Sequence, residues 1–326
     1  MNIGDIAEMA GVSRAAVSRY LNNGYISAEK RERIRKVIEE TGYKPSVMGQ
    51  TLRTKKTKLI GVVLPRINSD TISSIVAGIG SVLHESGYEM LLASTDNNPE
   101  KELDFLRIFS NDRVDGVILI ATVFTKEHKS ILKAMSIPVV VVGQLLPGFT
   151  SIYHDDYGAG AALARHLLET GRRRIGFIGV LREDVAVGLN RYLGYRDTLQ
   201  EAGCIVTPEQ SVIADFSVAS GYEKMETLLA RYPDPDAVIC ATDSIAVGAL
   251  KYLKETGRNV PGDIAVTGFG DNTISGVTTP PVTTVHLHYR TSGETAAEKI
   301  LAMLSGKERA TAEIKLSFEL VRRGSG

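Results

Sequence analysis

The stretch GVSRAAVSRYLNNG, residues 11–24, predicts a short helix between two turns. Ser13 is a favoured N-cap residue for a helix over 14–21, and the asparagines and glycine that close the stretch stop it. Eight residues are too few for a helix that is stable alone in water, so neighbouring segments must hold it. Val17 and Leu21 supply an apolar side for that packing. The opposite side is small and cationic, with Arg14, Ala15, Ser18 and Arg19.

Two further helices are predicted around this segment. Before it, Asn2 is a favoured N-cap residue and Gly11 a favoured stop. After it, Ser27 precedes SAEKRERIRKVIEETG, whose apolar residues recur at helical spacing. A helix, a tight turn and a short second helix form the helix-turn-helix pattern, whose second helix enters the major groove of DNA. The pattern therefore predicts an all-α DNA-binding head over 1–44.

A polar, basic segment separates this head from the rest of the chain. Residues 45–58, PSVMGQTLRTKKTK, hold apolar side chains only at Val47, Met48 and Leu52. That content is too low for a core element, and the segment is too long for a tight turn. We predict a hinge or linker that becomes helical only when another surface holds it.

The net charge of zero conceals an asymmetry along the chain. Residues 1–58 hold 12 Lys and Arg against 6 Asp and Glu, whereas the remainder holds 26 against 32. A basic head on an acidic body is typical of a head that meets a polyanion. Charge alone also fits a solvated helix over 27–41, so the pattern of the head carries the prediction.

From residue 59 onward, apolar runs alternate with amphipathic helical patterns. The runs cover 59–65, 88–94, 115–121, 137–143, 174–180, 236–242 and 263–269, and a further strand-like run, AEIKLSFELV, covers 312–321. Continuous apolar strands separated by helices are typical of parallel sheets covered on both faces. The runs form one series before about Tyr153 and another after it, so we predict two doubly wound sheets. Ligands of such folds bind at the carboxyl ends of the strands, here between the lobes.

Motifs along the head and the body together carry a resemblance to a known family. In the head they are DIAEMAGVSRAAVSRYLN at 5–22, followed by SAEKRERI and GYKP. In the body they are LIGVVLP, VDGVIL, IPVVVVG, GRRRIGFIG, ATDSIAVGAL, VPGDIAVTGF and TPPVTTV. With these motifs, in this order and over nearly its whole length, the chain resembles the lac repressor (LacI/GalR) family of transcription regulators.

The resemblance implies a fold and a division into domains. It implies an α/β protein with an N-terminal all-α helix-turn-helix head (1–44) and a hinge helix (45–58). A two-lobed core over 59–326 follows, which resembles periplasmic sugar-binding proteins. We expect its N-lobe to hold about 59–155 and 286–313, and its C-lobe about 156–285 and 314–326.

The resemblance also assigns candidate DNA contacts. The residues that would read bases are Arg14, Ala15, Ala16 and Arg19, since arginine pairs with guanine edges and a methyl group contacts thymine. Ser13, Ser18, Asn22 and Tyr25 would bind phosphates. In the hinge, Leu52 stands where the family inserts a leucine into the minor groove, and Met48 is a further candidate. Gly49 stands where relatives usually have alanine, so we expect a weak hinge helix.

Candidate effector contacts follow from the family in the same way. They are Arg66, Ser69, Ile72, Tyr153, Arg191, Phe216, Thr242, Asp243 and Asp271. Arg191 matches the arginine that binds sugar hydroxyls through its planar fork, and Tyr153 and Phe216 offer aromatic faces to a sugar. Gly270 and Leu287 depart from the family, where an aspartate and a glutamine are common. Tyr153 and Phe216 also fit ordinary core positions.

A narrower resemblance concerns Arg66. The segments PRINSD, GVLREDVAVG and ICATDSIAVGALKYLKE are similar to the trehalose repressor branch. That branch uses an arginine after the first core strand to bind the phosphate of trehalose 6-phosphate, and Arg66 is its counterpart. Arg66 equally fits a surface position at the end of a strand.

These observations predict a repressor of a sugar-utilisation operon. We expect a cytoplasmic, nucleoid-associated homodimer that binds palindromic operator DNA and responds to a sugar or sugar phosphate between its lobes. One alternative is an activator or a corepressor-dependent regulator of the same fold. Two others are a sugar-binding transport protein and an enzyme, which the basic head, the lack of a signal peptide and the lack of a catalytic constellation disfavour.

The sequence indicates neither a cofactor nor a metal. His286 and His288 lie two residues apart without a third ligand in view, so we interpret them as structural. No phosphate-binding glycine motif is present. Asp155 and Asp156 are the nearest approach to a catalytic carboxylate pair, and we expect them to begin a helix. No apolar run approaches the ~18 residues of a membrane span. The isolated Cys204 and Cys240 fit a reducing compartment without disulfides.

Overall fold

The computed structural model describes residues 1–22, 24–43, 56–111 and 114–326. Within these ranges the chain forms two compact units, Met1–Lys58 and Leu59–Gly326, which are described separately below.

The first unit contains three helices packed around a small apolar core. They are α1 (Ile3–Met9), α2 (Arg14–Leu21) and α3 (Ala28–Thr41). Asn2 and Asp5 form a reciprocal capping box at the start of α1, and the Ser13 hydroxyl accepts a hydrogen bond from the Ala16 amide at the start of α2. Ser27 precedes α3 as predicted, although its hydroxyl makes no capping hydrogen bond. The side chains at the centre of the core are Ile6, Val17 and Ile34.

The second unit contains twelve strands in the part of the chain that the structure describes. They are β1 (Leu59–Leu64), β2 (Glu89–Ser94), β3 (Gly116–Ile120), β4 (Val139–Val142), β5 (Thr150–His154), β6 (Ile175–Gly179), β7 (Ser211–Ile213), β8 (Ala237–Cys240), β9 (Ala265–Phe269), β10 (Thr283–Leu287), β11 (Glu313–Leu316) and β12 (Phe318–Val321). The longer apolar runs predicted strands β1 to β4, β6, β8 and β9. All of these except β2, whose residues are mostly exposed, are buried, and strands buried on both faces need no polar alternation.

The strands form two six-stranded sheets. The first has the order β11-β5-β4-β3-β1-β2 and is parallel throughout. The second has the order β12-β10-β9-β8-β6-β7 and is parallel except for β12, which runs antiparallel to β10. The predicted fold class, a helical head followed by two doubly wound sheets, is therefore confirmed. We call the two halves of the second unit the N-lobe and the C-lobe, after the first and second sheets.

Helices cover the sheets of both lobes. They are α4 (Asp70–Glu85), α5 (Pro99–Ser110), α6 (Lys126–Ala134), α7 (Asp156–Glu169), α8 (Arg191–Glu201), α9 (Val218–Arg231), α10 (Asp243–Glu255), α11 (Thr273–Val277) and α12 (Tyr289–Leu304). A π-helix, Val185–Asn190, leads directly into α8, and a short 3₁₀ helix covers Pro208–Gln210. None of the helices in the described ranges is both long and apolar enough to cross a membrane.

The chain passes between the sheets three times, after β5, after β10 and after β11. The third passage divides the run AEIKLSFELV at Ser317, so that β11 joins the N-lobe sheet and β12 the C-lobe sheet. The sequence pattern of this run does not show that break, because both halves have the same alternation. The expected lobe boundaries at 285/286 and 313/314 fall within β10 and β11.

Candidate functional site

In the first unit, α2 presents a basic exposed face. Arg14, Ala15 and Arg19 are exposed, whereas Ala16 is 6% exposed and packs with Val17 in the core of the head. Of the two alanines predicted to contact thymine, Ala15 is therefore the one on the surface. The cap that Ser13 provides fixes the start of this face.

The remaining predicted DNA contacts surround α2 or lie outside the described residues. Ser18 is half-buried, and its carbonyl accepts a hydrogen bond from the side-chain amide of Asn22, which is exposed. Tyr25 is 92% exposed, so its ring is available to a partner. Met48 and Leu52, the predicted hinge contacts, fall in the segment 44–55 that the structure does not describe.

In the second unit, a cavity of about 110 Å³ lies between the lobes at the carboxyl ends of the strands. We call it cavity 1. Six predicted effector residues line it: Arg66, Ser69, Ile72, Arg191, Phe216 and Thr242. The lining also includes residues that were not predicted as effector contacts, among them Gln144, His154, Asp156, Asp184 and Tyr289.

A buried ion pair forms part of the wall of cavity 1. The Nε atom of Arg191 donates to Asp156 Oδ1 at 2.7 Å, and its Nη1 donates to the Ala241 carbonyl at 2.7 Å. The side chains of Arg191 and Asp156 are only 3% and 4% exposed. The guanidinium also lies 4.6 Å from the centroid of the Phe269 ring. These contacts hold the planar fork of Arg191 in one orientation at the cavity.

Two glycines allow the helices that carry this pair to approach closely. Asp156 begins α7 and Arg191 begins α8, and these helices cross where each has a glycine. A Cβ atom on Gly194 would lie 2.1 Å from the Tyr157 carbonyl oxygen, and one on Gly160 would lie 2.2 Å from the Arg191 carbonyl oxygen. Neither position has room for a side chain, so the close crossing places the carboxylate within reach of the guanidinium.

Arg66 supplies a second cation to cavity 1. Its guanidinium lies 4.5 Å from the centroid of the Phe216 ring, and the side chain is half-buried. Burial lowers the pKa of Arg66 from its ordinary value. No carboxylate of the described residues lies within ion-pair distance of it. A partly desolvated cation without an anionic partner is suited to an anionic ligand group.

A hydrogen bond connects the two lobes beside cavity 1. Gln144 Nε2 donates to Asp184 Oδ1 at 2.7 Å and also to the Thr122 carbonyl at 2.6 Å. Asp184 Oδ1 accepts a second hydrogen bond, from the Val187 amide, and thereby caps the π-helix. Burial raises the pKa of Asp184 to about 6.

His154 places an unpaired nitrogen at the same junction. The ring is 6% exposed and packs edge-on against Tyr289, with 5.1 Å between the ring centroids. Its Nε2 has no hydrogen-bond partner among the described residues. Burial lowers the pKa of His154 to about 4, so the imidazole is neutral at pH 7 and one ring nitrogen can accept a hydrogen bond.

A second cavity, of about 340 Å³, adjoins the first. We call it cavity 2. Tyr153, which was predicted as an effector contact, lines cavity 2, together with Phe124 and Asn190. The two cavities have six lining residues in common: Thr122, Gly143, Gln144, His154, Asp156 and Ala186.

The two predicted aspartates of the C-lobe line neither cavity 1 nor cavity 2. Asp243 is fully buried, where its carboxylate accepts hydrogen bonds from the Thr284 hydroxyl and the Asn272 amide. Asp271 pairs with Arg323 and with His286, and it lines a third cavity of about 200 Å³. The structure thus gives Asp243 and Asp271 partners within the chain.

The described ranges contain no group of three or more His, Cys, Asp and Glu residues that could hold a metal ion. His286 in β10 and His288 just after it each lie next to a carboxylate. His286 pairs with Asp271, and His288 pairs with Glu319. Asp155 caps α7 through the Gly158 amide, in agreement with the expectation that this aspartate pair begins a helix.

Comparisons with known proteins match both parts of the chain. Residues 2–46 match the family model of bacterial regulatory proteins of the lacI family, and residues 164–326 match the periplasmic binding protein-like domain. The sucrose operon repressor of Staphylococcus xylosus is 33% identical over 321 residues, which cover 98% of this chain and 99% of that protein. The chain belongs to the LacI family.

Two solved structures of transcription regulators agree with this assignment. The transcriptional regulator CelR in complex with cellobiose is 30% identical with a TM-score of 0.78, and the match covers 100% of both chains. The lac repressor dimer bound to operator and the anti-inducer ONPF is 25% identical with a TM-score of 0.91, covering 100% of this chain and 98% of that one. These relatives are transcription regulators, so the chain is a regulator rather than an enzyme.

The resemblance to the family did not point to Gln144, Asp184 or His154 as candidate residues of cavity 1. Gln144 follows β4 and Asp184 follows β6, which are the positions where doubly wound folds bind ligands. That position was the one signal available for them in the sequence. For His154, the signal was weaker still, because a histidine at the end of a strand is usually a packed core residue.

Proposed function

We propose that this chain is a DNA-binding repressor of a sugar-utilisation operon, and that a sugar or sugar phosphate in cavity 1 controls its affinity for the operator. The observation that carries the proposal is the buried Arg191–Asp156 pair on the wall of a cavity between two lobes. Donors and acceptors fixed in this way suit ligands with many hydroxyl groups. The names of two relatives, a sucrose operon repressor and a cellobiose complex, support a saccharide.

The other side chains of cavity 1 fit the same ligand class. The ring of Phe216 offers an apolar face to the C–H side of a sugar ring, and Thr242 and Ser69 offer hydroxyls. Arg66 adds a cation that no carboxylate of the described residues neutralises. A phosphorylated sugar would supply the missing anion.

The head would read a palindromic operator as part of a homodimer. Arg14, Ala15 and Arg19 on the exposed face of α2 would contact base edges in the major groove. A dimer places two such faces at the spacing of two half-sites. The effector can change operator affinity only through its difference in affinity for the DNA-bound and free forms of the dimer. Such a regulator acts in the cytoplasm, where the DNA is.

Fluorescence anisotropy tests this proposal with the full chain and labelled palindromic operators, each titrated with and without sugars and sugar phosphates. We expect specific binding to one palindrome, and at least a ten-fold change in its Kd with one ligand. Weaker binding in the presence of that ligand identifies a repressor released by its inducer. Tighter binding identifies instead a regulator that needs the ligand as corepressor. Failure of every palindrome to bind above the nonspecific level would contradict the proposal.

A further inference from the structure

Cavity 2 lies next to the candidate effector site and has the lining of a saccharide site of its own. We propose that cavity 2 is a second saccharide subsite, continuous with cavity 1, and that the effector is a saccharide of at least two rings with one ring in each cavity. The proposal rests on the function proposed above, because it specifies which class of sugar the cleft binds.

The two cavities share a wall rather than lying apart. Their six common lining residues come from both lobes. At this shared wall, Gln144, which lines both cavities, donates a hydrogen bond to Asp184, which lines cavity 1, and the two residues are only 5% and 4% exposed. Because amide and carboxylate groups also bind hydroxyls, a sugar hydroxyl can take the place of each partner: it accepts from Gln144 Nε2 and donates to Asp184.

The sizes of the cavities support a ligand that occupies both. Sites for small organic ligands usually measure about 300–1,000 Å³. Cavity 1 alone, at about 110 Å³, falls below that range, whereas cavity 2 measures about 340 Å³. A ligand confined to cavity 1 would leave the larger of the two adjoining spaces without a sugar ring.

Aromatic faces occur in both cavities. Phe216 lines cavity 1, whereas Tyr153 and Phe124 line cavity 2. Each aromatic face suits the apolar side of one sugar ring, so contact with both sets needs two rings. Asn190, which also lines cavity 2, offers an amide for ring hydroxyls.

His154 offers a hydrogen bond where the two rings would be joined. It lines both cavities, and its buried Nε2 has no partner in the described part of the chain. A buried polar atom without a partner is costly, and a hydroxyl next to the glycosidic linkage would satisfy it. The unpaired nitrogen is thus a second observation, independent of cavity shape, that indicates a ligand at the junction.

Isothermal titration calorimetry on the full chain tests the proposal with single-ring and two-ring probes. The single-ring probes are glucose, fructose and glucose 6-phosphate, and the two-ring probes are sucrose, cellobiose, trehalose and trehalose 6-phosphate. We expect at least one two-ring probe to bind ten-fold or more tightly than every single-ring probe. Equal or tighter binding of a single-ring probe would overturn the inference.

Two variants confine the test to cavity 2. Val185 lines cavity 2 but not cavity 1 and is 48% exposed, so V185W adds bulk there with little risk to the fold. We expect V185W to weaken binding of the two-ring probe at least ten-fold and binding of the single-ring probes less than two-fold. Y153L removes the aromatic face but keeps an apolar side chain, and it should weaken binding of the two-ring probe at least five-fold.

The matched control is V277W, because Val277 is 74% exposed in α11 and lines neither cavity. V277W should leave all affinities within two-fold of the wild type. If V185W weakens binding of the single-ring and two-ring probes equally, the inference of a second subsite is wrong while the proposed sugar response stands. If no probe of either class binds, the proposed function fails and the inference fails with it.

Discussion

The guanidinium of Arg191 and the carboxylate of Asp156 form a nearly fully buried ion pair, with 2.7 Å between Nε and Oδ1. The pair joins the first residues of two helices that cross at Gly160 and Gly194. It therefore serves the fold of the C-lobe and the wall of cavity 1 at once. Loss of one partner leaves the other charge buried without compensation, and this lowers the free energy of unfolding measurably.

We expect R191A to lower the free energy of unfolding by about 3–5 kcal/mol, the range for a broken buried pair. The same variant should lose its response to sugar, because the fixed donors of cavity 1 are gone. Urea denaturation followed by circular dichroism measures the first effect. Operator anisotropy with and without sugar, below the denaturation midpoint, measures the second.

The control for R191A is R174A, since Arg174 forms an ion pair with Asp234 at 3.1 Å on the surface. These side chains are 55% and 81% exposed, so R174A should cost less than about 1 kcal/mol. If R191A and R174A destabilise the chain equally, the Arg191–Asp156 pair does not have the structural role assigned to it.

The unpaired cation at Arg66 makes a prediction about ligand charge. R66A should weaken the binding of a sugar phosphate at least ten-fold and that of the same sugar without phosphate less than two-fold, because only the phosphate uses the charge. Its stability should change little, since Arg66 forms no ion pair with a described residue. Calorimetry with each phosphorylated and unphosphorylated pair measures the difference.

Arg182 provides a matched control for Arg66. Its guanidinium lies 3.4 Å from the centroid of the Tyr192 ring, and it lines neither cavity 1 nor cavity 2. R182A thus removes the same kind of cation–aromatic contact without touching the site, and it should leave both affinities unchanged. Equal losses for the two sugar forms in R66A would show that Arg66 acts through packing on Phe216 instead of through its charge.

The elements that local patterns specify were predictable, and those that depend on two distant segments were not. The cap at Ser13 and the apolar runs of β1 and β3 are local signals, and the structure has these elements within two residues of the predicted positions. The division of 312–321 at Ser317 depends on which sheet each half meets. Nothing within the run itself encodes that choice.

The same distinction applies to the candidate site. Arg191 and Phe216 are predicted as effector contacts by the family resemblance, and they line cavity 1. Gln144, His154 and Asp184 line cavity 1 together only because the two lobes bring them to the same place. Conversely, Asp243 follows a strand end as a ligand contact would, yet tertiary partners at Thr284 and Asn272 use its carboxylate.

Asp184 and His154 predict opposite effects of pH on stability. Burial raises the pKa of Asp184 to about 6, above the ~3.9 of an unfolded aspartate, so this group stabilises the fold progressively as the pH falls through 6. Burial lowers the pKa of His154 to about 4, below the ~6.5 of an unfolded histidine. The unfolded chain then gains its proton first, and this group destabilises the fold as the pH falls from about 6.5 to 4.

Replacing Asp184 or His154 should therefore remove one of these two opposite effects of pH on stability. Relative to the wild type, D184N should lose stability as the pH is lowered from 7.5 to 4.5, and H154Q should gain it, each on the order of 2 kcal/mol. The side chain that D184N introduces keeps an oxygen for the Val187 amide, so the cap of the π-helix survives in this variant. Urea denaturation at intervals of one pH unit measures both. Differences from the wild type that do not change with pH would contradict the prediction.

The exposed face of α2 makes a prediction about how the head reads DNA. R19A should weaken specific operator binding by about 1–3 kcal/mol, roughly 5- to 150-fold, the cost of losing one arginine–guanine contact. Arg35 is the control, because its charge is already paired with Glu32 at 2.6 Å and Glu39 at 2.8 Å on α3. R35A should change the affinity less than two-fold.

The salt dependence of operator binding distinguishes base reading by Arg19 from phosphate binding. If Arg19 reads a base, R19A should relax specificity at one position of each half-site and leave nonspecific binding nearly unchanged, because the phosphate contacts remain. If Arg19 binds phosphate instead, R19A should weaken binding to all sequences equally and reduce the salt slope by about one. The second result, measured by anisotropy at salt concentrations between about 50 and 200 mM, would contradict the assignment of Arg19 to the base-reading face.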